Sequence, residues 1–145
     1  MKKFTVVAIG LLAGASVAAG QSVRDAATPA RSYFSSVSRY EAVDLDKLQD
    51  NIIVNLGSEN LGVVESALAH AAHLRLARPD IGMSDIREAV IALASGGPTA
   101  AIRYKAHLVS QVCYDPTRFG AALQGTFTNG EEFFAVLGSS LQAMM

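Results

Sequence analysis

From Asp44 onward, apolar residues recur every three or four positions, and that spacing constrains the chain more than any other feature. Leu45, Leu48, Ile52, Ile53 and Leu56 fall on one face of a helix. Gly57 predicts a stop, because glycine accepts the left-handed conformation that ends helices. Ser58-Glu59-Asn60 makes a turn, with Asn60 as cap of the next helix. That helix runs to Arg78 with Val64, Ala67, Leu68, Ala71 and Leu74 as its stripe. Arg75 and Arg78 suit the negative end of its dipole, and Pro79 cannot be held inside it. Ser84 is the expected cap of a third helix, with Asp85 and Glu88 in its first turn and Ile86, Val90 and Leu93 as its stripe. Gly96-Gly97 ends it, and Pro98 is expected to open a fourth, on which Ile102, Ala106, Val109, Val112 and Cys113 face one way. Asp115-Pro116 closes that helix and starts a fifth with Phe119, Ala122 and Leu123. Asn129-Gly130 turns into a last helix bearing Phe133, Phe134, Val136, Leu137 and Leu141. Gly125-Thr126-Phe127-Thr128 is a short strand-like exception, so an all-α fold is expected.

Composition narrows the class. The length of 145 residues fits one domain. Half the residues are hydrophobic and 17% are charged, a globular balance. With 7% aromatics and no Trp, the core is expected to be mainly aliphatic. A net charge of −1 gives no footprint for nucleic acid. One cysteine excludes an internal disulfide framework and a Cys-rich zinc site.

The N-terminus reads as an address. Met1-Lys2-Lys3 is followed by an uncharged apolar run from Phe4 to Val17, then small Ala18-Ala19-Gly20. This is the three-part pattern of a secretory signal peptide, residues 1–20, with cleavage allowed after Ala19 or Gly20. The run is shorter than the roughly 20 residues of a membrane span, so no stable span is expected after cleavage; an uncleaved anchor is the alternative. No Cys lies there to accept a lipid. Cleavage removes two lysines and no acid, leaving a mildly acidic chain expected in the periplasm or secreted. Residues 21–43 are expected to form a linker or weakly ordered arm, with Tyr33 and Phe34 able to dock on the helical domain, residues 44–145.

Shifting the chain by 38 positions superposes two helix pairs. Leu48 falls on Ile86, Ile52 on Val90 and Ile53 on Ile91; Val64 falls on Ile102, Leu68 on Ala106, Ala71 on Val109 and Leu74 on Val112. With the segment Ser58-Glu59-Asn60-Leu61-Gly62-Val63-Val64-Glu65-Ser66-Ala67-Leu68, the chain resembles a short HEAT-like or armadillo-like array. Two helices per unit and a period of about 40 residues carry the likeness. It implies antiparallel hairpins, about two to three units, stacked because one hairpin cannot bury its own apolar face. Residues 116–145 do not keep the register, and a compact irregular bundle is the alternative.

Catalytic patterns are sparse. His70 and His73 are three apart, with His107 or Glu65 as a possible third metal ligand, but His73 points away from the Val64–Leu68–Ala71 stripe and the pair reads as solvated. Cys113 sits on the buried face and reads as inert. No Gly-x-Ser-x-Gly elbow occurs, and Gly96-Gly97-Pro98-Thr99 is explained as a stop and a start. Glu131-Glu132 suit a helix start, and Asp44, Asp46 and Asp50 a solvated face. No enzyme activity and no cofactor are expected.

The binding surface is expected opposite the core stripes of the second helices. It comprises Glu65, Ser66, His70 and His73 in one unit and Arg103, Tyr104, His107 and Gln111 in the next. Tyr and Arg are enriched in polypeptide contacts, so the expected function is an exported interaction protein with an unidentified protein partner. The alternative is a small-ligand or metal carrier, its pocket enclosed by Phe119, Phe127, Phe133 and Phe134.

Overall fold

The computed structural model describes residues 32–34, 40 and 44–145, all within one unit, Ser32–Met145. The expected signal peptide, and the linker apart from Ser32–Phe34 and Tyr40, lie outside the described residues.

Six α-helices and one 3-10 turn make up the described fold, with no strand among the described residues. They are α1 (Leu45–Leu56), α2 (Leu61–Ala77), α3 (Ser84–Gly96), α4 (Ala100–Tyr114), α5 (Gly120–Gln124) and α6 (Gly130–Gln142). The 3-10 turn, Pro116–Phe119, joins α4 to α5. The chain is all-α, and Gly125–Thr128 is coil or bend.

Side-chain caps set several starts. Asn60 Oδ1 accepts from the Gly62 amide at 3.0 Å, satisfying a donor that the first turn of α2 leaves open. Asn129 Oδ1 accepts from the Glu132 amide at 3.0 Å, and the Glu132 carboxylate accepts back from the Thr128 amide and hydroxyl. Three expectations change here. Ser84 is the first helical residue of α3; the cap position is Met83, with no side-chain hydrogen bond. Pro98 precedes the cap of α4, which is Thr99, whose hydroxyl accepts from the Ile102 amide. Gly57 ends α1 at φ −88°, without the left-handed conformation. At the α3–α4 turn, a Cβ on Gly97 would stand 2.6 Å from the Leu93 carbonyl oxygen, so only glycine fits.

Packing places α2 at the centre. It contacts α1, α4, α5, α6 and the 3-10 turn, while α3 packs on α1 and α4. Val64, Ala67, Leu68, Ala71 and Leu74 are buried as their spacing predicts. So are Ala69, Ala72, His73 and Leu76, which continue around the helix to the opposite side. A helix apolar all round belongs in a core. No helix among the described residues is long and apolar enough to cross a membrane.

Candidate functional site

Two helices each bring an acidic residue to one lysine. Lys105 lies on α4 at the core-facing spacing of Ile102 and Val109, yet its side chain ends in an ammonium group. Only 8% of that side chain is exposed. A buried cation needs partners, because desolvation without them costs several kcal/mol, on the order of a whole domain's margin. Glu65 on α2 accepts at 3.2 Å and Glu131 at the start of α6 also accepts. The Phe134 ring lies below, with Nζ 5.3 Å from its centroid. Burial pulls the Lys105 pKa down, but the hydrogen bonds and charges of Glu131 and Glu65 outweigh it and the net shift is upward. Lys105 is therefore a fixed cation, unsuited to act as a nucleophilic amine.

A cleft of about 460 Å³ opens beside this cluster between α4 and α6. Tyr104, Lys105, Glu65, Glu131, Ser139 and Gln142 give its polar lining, and Phe134, Ala135 and Gly138 its apolar part. Tyr104 is half exposed, and its hydroxyl would stand 2.8 Å from a Cβ on Gly138, so the small residue lets α4 and α6 approach. A smaller pocket of about 130 Å³ shares Glu65, Lys105, Glu131 and Phe134, and adds Ser66 and Tyr33.

The expected binding residues divide. Glu65 and Tyr104 meet at the cleft, and Ser66 joins Glu65 at the smaller pocket. Arg103 and His107 are exposed on α4 and Gln111 is half-buried; none of the three lines either concavity. Arg103 turns back to donate to the Gly97 carbonyl at 2.8 Å. His70 is half-buried, and its Nδ1–H donates to the Ser66 carbonyl at 2.7 Å, since a carbonyl only accepts. The expectation of a solvated His73 is overturned: it is 9% exposed. The reason is the arm. Phe34 stacks on the His73 ring with centroids 4.1 Å apart and planes 10° from parallel. The Tyr40 hydroxyl and His73 Nδ1 share a hydrogen bond of 2.8 Å.

Burial, with the charge of His70 as a lesser cause, lowers the His73 pKa from 6.5 to about 4. That shift corresponds to roughly 3 kcal/mol against the charged ring. A cation over the Phe34 face recovers up to about 2 kcal/mol, so neutrality still wins. Burial raises the Tyr40 pKa as well.

Phe119, Phe127, Phe133 and Phe134 are all buried. Phe133 packs edge-on against Phe34, Phe127 and Phe134, and Phe134 also borders the cleft. Cys113 is buried, and burial pushes its thiol pKa up. Among the described residues no three of His, Cys, Asp and Glu gather as a metal site. The pairing of His70 and His73 with His107 or Glu65 is not formed. Lys105 was absent from the expected site, and Glu131 was expected only to favour a helix start. The available signal was a lysine at a core-face position three residues after Ile102.

Comparison with protein-family models, with curated proteins and with solved structures finds no match.

Proposed function

We propose that this chain is an exported, non-enzymatic interaction protein whose α4–α6 cleft receives a side chain or short segment of a protein partner. The observation that carries the reading is the open cleft of about 460 Å³ with half-exposed Tyr104 at its edge and Lys105 pinned between two carboxylates. Aromatic side chains beside fixed polar groups suit polypeptide contact. The burial of Cys113 and the neutral, stacked state of His73 support a non-enzymatic role, since neither is placed to act on a substrate.

The helical-repeat origin belongs to the same proposal. Ile52 and Val90, Val64 and Ile102, Leu68 and Ala106, Ala71 and Val109, and Leu74 and Val112 are pairs 38 apart in which both members are buried. Equivalent burial at these five pairs supports a duplicated HEAT-like hairpin capped by α5 and α6, while Leu48 is half-buried where Ile86 is buried, and Ile91, paired with half-buried Ile53, is exposed. Export rests on the N-terminal pattern alone. Its test is cell fractionation with intact mass: recovery outside the cytoplasm with a start after Ala19 or Gly20 supports it, and recovery of the Met1 form in the cytoplasm alone overturns it.

A photo-crosslinking residue at position 104 tests the cleft, with position 91 on α3 as control, because Ile91 is exposed away from it. Irradiation in the producing cell is expected to give a discrete protein adduct from position 104 and none from position 91. Equal labelling at both, or none at either, contradicts the reading. A small-molecule mass retained by the purified protein in native mass spectrometry would favour the carrier instead.

A further inference from the structure

Tyr33, Phe34 and Tyr40 belong to one short stretch, and all three are tied to the centre of the fold. The Tyr33 amide donates to the Phe127 carbonyl at 2.6 Å. Phe34 is 4% exposed and meets His73, His70, Phe127 and Phe133. Tyr40 is 6% exposed and bonds His73. One imidazole thus stacks with the first anchor of the arm and hydrogen-bonds the second. Tyr33 also walls the smaller pocket, alongside Glu65, Ser66 and Glu131.

The chemistry of that contact depends on a proton. A neutral imidazole has one acceptor nitrogen, which lets the Tyr40 hydroxyl donate to it. A doubly protonated ring has none, so the hydroxyl must turn its hydrogen elsewhere inside a buried site. The charge would also sit out of water, and the Phe34 face returns only part of the lost hydration. On α2 itself, His70 lies one turn back and opposes a second charge at position 73. Elements α1, α4, α5, α6 and the 3-10 turn also pack on α2. Among the described residues they bring no titratable group whose charge offsets a proton on His73. The lowered His73 pKa of about 4 agrees with this geometry.

We propose that Tyr33, Phe34 and Tyr40 form an acid-released latch: a proton on His73 frees Phe34 and Tyr40, withdraws Tyr33 from the wall of the smaller pocket and opens it beside half-buried Glu65 and Ser66. The latch is independent of what binds in the cleft. Entry of a buried charge destabilises only the segment that contacts it when the rest of the core stands on other contacts. Here the rest is the aliphatic packing of α1 to α4.

Amide hydrogen exchange of the full chain between pH 7 and pH 4, corrected for intrinsic exchange rates, reads the latch directly. Protection at Tyr33 and Phe34 is expected to fall roughly tenfold or more toward pH 4, while residues 100–114 keep theirs. Unchanged protection of the arm overturns the proposal, and so does simultaneous loss in residues 100–114, which would be global unfolding. His73→Phe keeps an aromatic ring without the proton, and its arm is expected to show a flat profile; a wild-type response in that variant overturns the assignment. Should His73→Phe fail to fold, His70→Gln serves: a pH response retained there supports His73, and a flat one moves the switch to His70.

Discussion

The two sides of α2 are buried by different chemistry. Val64, Leu68, Ala71 and Leu74 form an aliphatic stripe of the kind that periodicity finds. On the opposite side, His73 is buried by an aromatic lid supplied from Phe34 and Tyr40, far away in sequence. The first side depends on shape alone. The second depends on shape, a hydrogen bond and a protonation state. A helix can therefore read as amphipathic in sequence and still have no wet face, because the cover comes from elsewhere in the chain.

The widest separation between the two sides comes from deletion in the aromatic end. Phe133 is fully buried at the junction of Phe34, Phe127 and Phe134. Phe133→Ala is expected to cost about 3–5 kcal/mol in urea unfolding, the usual range for a buried ring lost to a cavity. A cost near that of a surface change would mean that these rings do not form a core.

Overpacking tests the aliphatic side. Ala106 is fully buried on α4. Ala106→Leu is expected to lower the urea midpoint by an amount equivalent to about 1–3 kcal/mol. It is expected to leave the pH dependence of stability unchanged, since no titratable contact is touched.

Acid separates the sides again. Between pH 6.5 and pH 4 the unfolded chain takes up a proton on His73 that the folded chain refuses. Stability is full above pH 6.5 and falls as pH drops through that window, by roughly 1–3 kcal/mol after the cation–π offset. His73→Ala removes the stack and leaves the Tyr40 hydroxyl unpaired, and is expected to cost about 1–2 kcal/mol at pH 7. Urea midpoints at pH 7 and pH 4.5 check both: the variant should lose the His73 share of the pH slope. A cost below about 0.5 kcal/mol would restore the solvated histidine that the helix angles alone imply.

The smallest effect is expected at the cleft. Glu131 is 73% exposed, so Glu131→Gln is expected to change stability by less than about 1 kcal/mol, because solvent screens an exposed partner. Thermal melts of the variant and the parent measure it. A larger loss would mean that Lys105 relies on Glu131 far more than on Glu65.

Much of the helical layout was legible in the residues. The stripes of α1 to α4 follow from apolar spacing, and Asn60 caps as its type predicts. Ser84 misled because a good capping residue one position late is simply the first helical residue. His73 was placed on a wet face because a moment-like argument allows a helix one buried side, whereas α2 has partners all round. Lys105 was passed over although the 38-residue shift sets it on Ala67, a buried position. A lysine in that register calls for carboxylates nearby, and Glu65 was already in view. Glu131 was read only as suiting a helix start, since nothing in spacing says that the start of α6 returns to α4.

Titration of the His73 ring protons by NMR in the full chain tests the central claim that the arm buries the second side of α2. A midpoint near pH 4 is expected, with nuclear Overhauser contacts to the Phe34 ring above it that fade as the proton binds. A midpoint near the ordinary 6.5, with no contact to Phe34 at pH 7, would contradict it.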